Sequence, residues 1–185
     1  MDWDTRYQKN PGYVFGKDPT RFLLENRIFL PTPGVALDVA VGEGRNAAYL
    51  ARLGFRVAGF DLSKAGLIKA SKLAFEYGVA IQPVMADLTK VAIAPASLDL
   101  IVCINFLERP LLPVLMEALK PKGRFFMETY TKGQLKYSFG PSNIDHLLKE
   151  GELLELFKDL SILFYQELDN ELTGAKAGII AEKRH

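Results

Sequence analysis

Residues Leu37 to Asn46 read LDVAVGEGRN, an apolar strand that runs into a glycine turn and then into the start of a helix. Asp38 lies inside the strand, just before Gly42 and Gly44. The junction therefore offers helix N-terminal amides, backbone that a ligand can approach closely, and one negative charge in a single crevice. That charge repels a phosphate and suits an amine or a sulfonium.

Working outward, apolar runs at Gly34 to Val41, Arg56 to Asp61, Ala80 to Ala86, Leu98 to Asn105 and Arg124 to Tyr130 have the continuous character of buried parallel strands. Helical segments alternate with them. The first crossover helix begins near Gly44 and stops before Gly54, and a second runs from Ser63, a suitable N-cap, to about Tyr77, with Gly78 as its stop. Pro110 and Pro113 fit the first turn of a short helix ending near Leu119. Ile144 to Phe157 reads as helical with a break at Gly151, and the strands Ser161 to Leu168 and Lys176 to Lys183 are joined by the turn-rich DNELTG. The expected fold is α/β: a doubly wound, mostly parallel seven-stranded sheet closed by a C-terminal antiparallel hairpin strand, a Rossmann-like architecture. The first 33 residues break the alternation. Trp3, Tyr7, Tyr13 and Phe15 sit among Pro11, Gly12, Gly16 and Pro19, so this stretch is expected to be an irregular arm followed by a helix over Pro19 to Phe29, lying over the crevice. The whole of 1–185 is expected to be one domain.

Composition narrows the class. The 23 basic and 22 acidic side chains nearly cancel and neither sign forms a block, so no nucleic-acid partner is expected. The opening MDWDTRYQKN has no apolar core of a secretory signal, and no apolar run approaches the roughly 18 residues of a membrane span, so a cytoplasmic protein without membrane attachment is expected. The single cysteine, Cys103, reads as core within LDLIVCIN. His146 and the terminal His185 give no metal-ligand spacing, and no metal is expected. Oligomeric state has no signal in the chain.

The ligand follows from the acids. GEGRNA at Gly42 to Ala47 satisfies the glycine pattern of dinucleotide sites, and Asp61 follows Gly42 by 19 residues, so a nicotinamide-dependent oxidoreductase stays open. Asp38 within the first strand and Asp87 after the third shift the reading. With Asp61 they suit a ribose diol, an adenine amino group and an ammonium, the combination found in S-adenosylmethionine.

LDVAVGEGRNAAYLARLGFRVAGFDLS resembles the cofactor motifs of class I S-adenosylmethionine-dependent methyltransferases, and more closely the small tellurite-resistance methyltransferase type with its LDxxxGxGRNxxYLA pattern. Trp3, Asp4, Arg6, Tyr7, Phe15, Gly16 and Pro19 match that type's opening, and FFMETYT followed by Gln134-Leu135 and Gly140-Pro141 matches its fifth strand. The resemblance implies that Asp38 holds the cofactor ammonium while Gly42 and Gly44 admit the backbone turn, with Ala40 standing where many relatives have glycine. Asn46 begins the helix beside them. Asp61 would accept from the ribose hydroxyls with Leu62 against the adenine, and Asp87 with the Leu88 amide would meet the adenine edge. Asn105 and Phe106 would end near the reactive methyl. On the acceptor side the candidates are Arg109 as a cation, Glu108 where relatives often show histidine, and Tyr130 with Glu128 and Lys132 at the end of the fifth strand. The acceptor is expected to be a small molecule such as a chalcogen oxyanion or thiol. A cofactor-binding module without catalysis is the other alternative, because the acceptor-side histidines of relatives are absent.

Overall fold

The computed structural model describes residues 2–184, so His185 lies outside them. Five parallel strands, β1 (Val35–Val39), β2 (Arg56–Asp61), β3 (Gln82–Met85), β4 (Leu98–Ile104) and β5 (Leu119–Tyr130), are followed by β6 (Ser161–Asn170) and β7 (Gly174–Glu182). The sheet order is β3-β2-β1-β4-β5-β7-β6, with β7 antiparallel to both of its neighbours. This is the mixed seven-stranded sheet with an antiparallel C-terminal hairpin that the sequence predicts. Strand order reverses between β1 and β4, and in an open sheet the crevice beyond the strand tips at that point is the natural ligand site.

Period-two alternation divides the sheet between two cores. Leu37, Val39, Ile101, Cys103, Phe125 and Met127 pack on one face against α5 (Leu111–Ala118) and α6 (Glu152–Leu156). Ala36, Leu100, Val102, Phe126 and Ile180 pack on the other against α2 (Arg21–Glu25), α3 (Arg45–Arg52) and α4 (Lys64–Glu76). Asp38 shares its strand parity with Ala36 and so belongs to the face covered by α3. Cys103 is core, as its apolar surroundings imply. Ser63 caps α4 by accepting from the Gly66 amide at 3.0 Å, and Gly78 ends the element at φ +66°.

Three segments depart from the sequence reading. The arm contains a helix, α1 (Trp3–Lys9), where irregular chain is expected. Seven residues are too few for a stable isolated helix, and this one exists because Tyr7 is buried and Asp4 reaches α4. The expected Ile144 to Phe157 helix is instead a 3-10 turn over Ile144–His146 followed by α6, divided by Gly151 at φ +69°. His146 is exposed on that turn. β5 starts at Leu119 rather than Arg124, because a bulge opposite Leu98/Leu100 accommodates Pro121 and Lys122 inside the strand. Among the described residues no helix is long and apolar enough to cross a membrane.

Candidate active site

β1 ends into a turn whose backbone is left-handed at Ala40, Gly42 and Gly44, with φ of +55°, +54° and +84°. A Cβ on Gly44 would stand 2.6 Å from the Ala70 Cβ, so glycine here lets the start of α3 sit on α4. A Cβ on Gly42 would stand 2.7 Å from the Tyr7 hydroxyl, so the room at this glycine is used by the arm. Ala40 carries the same strain without glycine's freedom.

The acids on β1 and β2 are built differently. Asp61 Oδ2 accepts from the Gly42 amide at 2.8 Å and its Oδ1 from the Ser63 amide at 2.8 Å. The carboxylate is thereby fixed across the mouth of the turn, each oxygen keeping a second acceptor position. Asp38 is 2% exposed, and its Oδ2 has no hydrogen-bond partner among the described residues. Burial pushes its carboxyl up to about 7; the Ala47 amide pulls down against this, and the Asp61 charge pushes up further. A buried anion so poorly matched marks a place where a cation belongs.

The other expected cofactor residues divide. Leu62 follows Asp61 and is 64% exposed, an apolar side chain with one open face. Asp87 Oδ1 accepts from the Thr89 amide at 3.0 Å and hydroxyl at 2.6 Å, and Lys90 lies 3.2 Å from its Oδ2; these contacts hold its carboxyl below the usual range. The turn role of this aspartate is thus visible. Leu88 and Glu108 meet in a concavity of about 270 Å³ between the 87–91 loop and the first turns of α5. Asn46 Oδ1 accepts from the Thr20 amide at 2.9 Å and hydroxyl at 3.1 Å, joining α3 to the start of α2.

Arg109 requires a correction. Its Nε and Nη2 grip both oxygens of Glu152 at 2.5 and 3.0 Å, while Nη1 and Nη2 also donate to the Asp145 and Leu147 carbonyls at 2.7 and 2.9 Å. Four of its five N–H groups are committed, so this arginine staples the 145–152 segment to the start of α5 and little of its fork remains for an acceptor.

The sequence reading misses two cations that the strand tips do gather. Lys176, on β7, donates to Asn105 Oδ1 at 2.7 Å and lies 3.3 Å from Glu128 Oε2 and 4.6 Å from the Tyr130 ring centre. Asn105 itself is left-handed, with φ +58°. Arg45, at the first position of α3, is half-buried, which pulls its pKa down against the upward pull of the Asp38 charge. Strand order brings Asp38 on β1 and Glu128 and Tyr130 on β5, two strands away, toward the same carboxyl edge of the sheet. The available signal for Lys176 is its position two residues past DNELTG, at the start of the last strand; for Arg45 it is its place within GEGRN.

The arm closes one side. Asp4 Oδ1 accepts from the Ser63 hydroxyl and the Ala65 amide, both at 2.8 Å, and Tyr7 lies against Gly66. Glu43, from the glycine turn, accepts from the Val14 amide at 2.7 Å and from Lys69 Nζ at 2.9 Å, and the same ammonium binds the Asn10 and Gly12 carbonyls at 2.9 and 2.6 Å.

Comparison with known proteins agrees with this geometry. The profile described as "Methyltransferase domain" matches residues 36–123, the span from β1 into β5. A ubiquinone biosynthesis O-methyltransferase of Nitrosococcus oceani is 33% identical over 119 residues, covering 61% of this chain and 50% of that protein, so the chain spans about half the length of that curated relative. Among solved structures, TehB from Haemophilus influenzae superposes with a TM-score of 0.75 at 19% identity, over 100% of this chain and 68% of the other. A 1,6-didemethyltoxoflavin-N1-methyltransferase of Burkholderia thailandensis, solved with S-adenosylhomocysteine, gives 0.68 at 22% identity over 89% and 77%. Strand order is that of the solved structures it superposes on, and residues 36–123 match the methyltransferase-domain profile.

Proposed function

We propose that this chain transfers a methyl group from S-adenosylmethionine to a small-molecule acceptor carrying an oxygen or sulfur nucleophile. The observation that carries the reading is the buried, unpartnered Asp38 Oδ2 beside the fixed carboxylate of Asp61, one strand away. An ammonium satisfies the first and a ribose diol the second. A pyrophosphate would face the Asp38 charge, which argues against a nicotinamide dinucleotide. Leu62 would offer its open face to the adenine, and Asp87 with the Leu88 amide would meet the adenine edge. The residues present fit the cofactor.

Bound there, S-adenosylmethionine supplies a methyl carbon on a positive sulfur, already activated for in-line displacement. The chain's own task is then placement and exclusion of water. Asn105, Glu128, Tyr130 and Lys176 form the wall where the tips of β4, β5 and β7 converge, on the side of Asp38 away from Asp61. These residues would hold an acceptor with its lone pair toward the methyl that the cofactor would supply. An acceptor that enters protonated gives its proton to Glu128 or to water. Lys176, held by Asn105 and Glu128, fixes the position of the Glu128 carboxylate at this wall.

The test is formation of S-adenosylhomocysteine with a panel of tellurite, selenite, small thiols and catechols. Turnover on one or more of them is expected, with a loss of about tenfold or more in Glu128→Gln. Cofactor binding without turnover on the panel or in cell extracts contradicts catalysis and leaves a binding module.

A further inference from the structure

Resting on that reading, we infer that Gln134 is a positioning residue of the acceptor side: its buried carboxamide ties the 131–140 segment to the start of β7 and so sets Lys176 against Glu128. Gln134 is fully buried, whereas its neighbour Leu135 is 50% exposed. A polar side chain turned inward while the leucine beside it faces water is held by hydrogen bonds and not by the hydrophobic effect. Its Oε1 accepts from the Ala175 amide at 3.1 Å, and its Nε2 donates to the Phe139 carbonyl. The Thr131 amide donates to the Ala175 carbonyl at 2.9 Å, so both backbone groups of Ala175 are taken by this one segment. Lys176 comes next in the chain.

Two glycines make the space for the carboxamide. Gly140 and Gly174 are left-handed, with φ of +81° and +78°. A Cβ on Gly140 would stand 2.8 Å from Gln134 Nε2, and one on Gly174 would overlap Gln134 Oε1. Gln134, Gly140 and Gly174 thus form one bracket. One end of it reaches the acceptor wall directly, since a Cβ on Gly140 would lie 3.5 Å from Tyr130 Cε1. The other end reaches it through β7, where Lys176 pairs opposite Tyr130 and stands 2.7 Å from Asn105 Oδ1 and 3.3 Å from Glu128 Oε2. Without the carboxamide the Ala175 amide is left without its acceptor, and the start of β7 must move to find another. Lys176 moves with it, and its longer contact, to Glu128, opens before the one to Asn105. The crevice at β1 and β2 is separated from β7 by β4 and β5, so the cofactor is spared.

The test is steady-state kinetics of the full chain with whichever of tellurite, selenite, a small thiol or catechol wild type methylates fastest, beside calorimetric titration with S-adenosylhomocysteine. Gln134→Met keeps the length and loses both hydrogen bonds. Its acceptor KM should rise about tenfold or more with a smaller change in kcat, while S-adenosylhomocysteine affinity stays within about twofold. Gln134→Glu keeps an acceptor for the Ala175 amide and can donate to Phe139 only when protonated. Its acceptor KM, divided by that of wild type at the same pH, should therefore fall from about pH 8 to about pH 6. Charged groups on the surrounding elements do not blur that ratio. Lys136 and Tyr137 both donate to Asp169 at 2.6 Å, which pushes the lysine and tyrosine up and the aspartate down, and Lys176 and Glu128 are common to both proteins. The glutamate variant also carries the test if the methionine variant folds poorly. An unchanged acceptor KM in Gln134→Met, or a matching loss of S-adenosylhomocysteine affinity, would overturn the inference, as would a Gln134→Glu ratio that does not move with pH. Wild type that methylates none of these compounds overturns the underlying methyltransferase reading and this inference with it.

Discussion

Asp38 combines a buried position with an unmatched charge, and its titration gives the sharpest consequences at the scale of single residues. Its folded pKa of about 7 lies above the ordinary 3.8, so the folded chain holds a proton that the unfolded chain releases. In the ligand-free protein this group therefore costs least stability near pH 4, and the cost grows as pH rises through about 7. Ligand-free Asp38→Asn should melt higher than wild type at pH 8, the difference shrinking as pH falls toward about 4. Binding has the opposite sign. Affinity for S-adenosylhomocysteine should drop by up to about tenfold per pH unit below about 7, because Asp38 must first lose its proton. A pH-independent affinity over that range would show that Asp38 does not meet the ammonium. Ala40 gives a separate prediction. At φ +55° its Cβ costs about 1–2 kcal/mol, partly offset by the greater freedom glycine has when unfolded, so Ala40→Gly should stabilise by about 0.5–1 kcal/mol in denaturant titration.

Elements show how the sequence reading succeeds and where it stops. β2 is found over Arg56–Asp61, the expected span, because a continuous apolar run bounded by Gly54 and Asp61 leaves little freedom. α4 was legible from its Ser63 cap and Gly78 stop, both local signals. The missed α1 has no such independence: its stability comes from Tyr7 at Gly42 and Asp4 at α4, partners about 35 to 60 residues away. Arg109 depends on distant chain in the same way, since its partner Glu152 lies 43 positions on. Charge type is readable in a sequence, whereas whether a charge is already spent depends on tertiary contact. Arg109→Ala should leave S-adenosylhomocysteine affinity within about twofold and cost about 1–2 kcal/mol of stability, the partly exposed pair, at 34% and 15%, being partly screened. A large affinity loss without destabilisation would return Arg109 to the ligand site.

For the molecule as a whole, the acids at the tips of β1 and β2 were readable because strand, glycine turn and acidic strand end are contiguous patterns. The acceptor wall was only half readable. Glu128, Tyr130 and Asn105 end strands and are visible as such, but Lys176 joins them through an antiparallel pairing of β5 with β7 that fixes Tyr130 opposite Lys176. The arm unites the parts: Glu43, 4% exposed in its side chain, ties the glycine turn both to residue 14 and, through Lys69, to residues 10 and 12. Deleting the first 17 residues uncovers that buried pair and removes Tyr7 from the turn, so both melting temperature and cofactor affinity should fall. Full affinity in the truncated chain would restrict the arm to packing.

The central claim is that the crevice at the tips of β1 and β2 takes an adenosyl amino acid. Its most direct measurement is calorimetric titration of the intact chain at pH 8 with S-adenosylhomocysteine and, separately, with NAD. One saturable site for S-adenosylhomocysteine, strongly weakened in Asp61→Ala, and no heat with NAD is the predicted result. Saturable NAD binding with none for S-adenosylhomocysteine, or an Asp61→Ala variant that binds as wild type does, would contradict it.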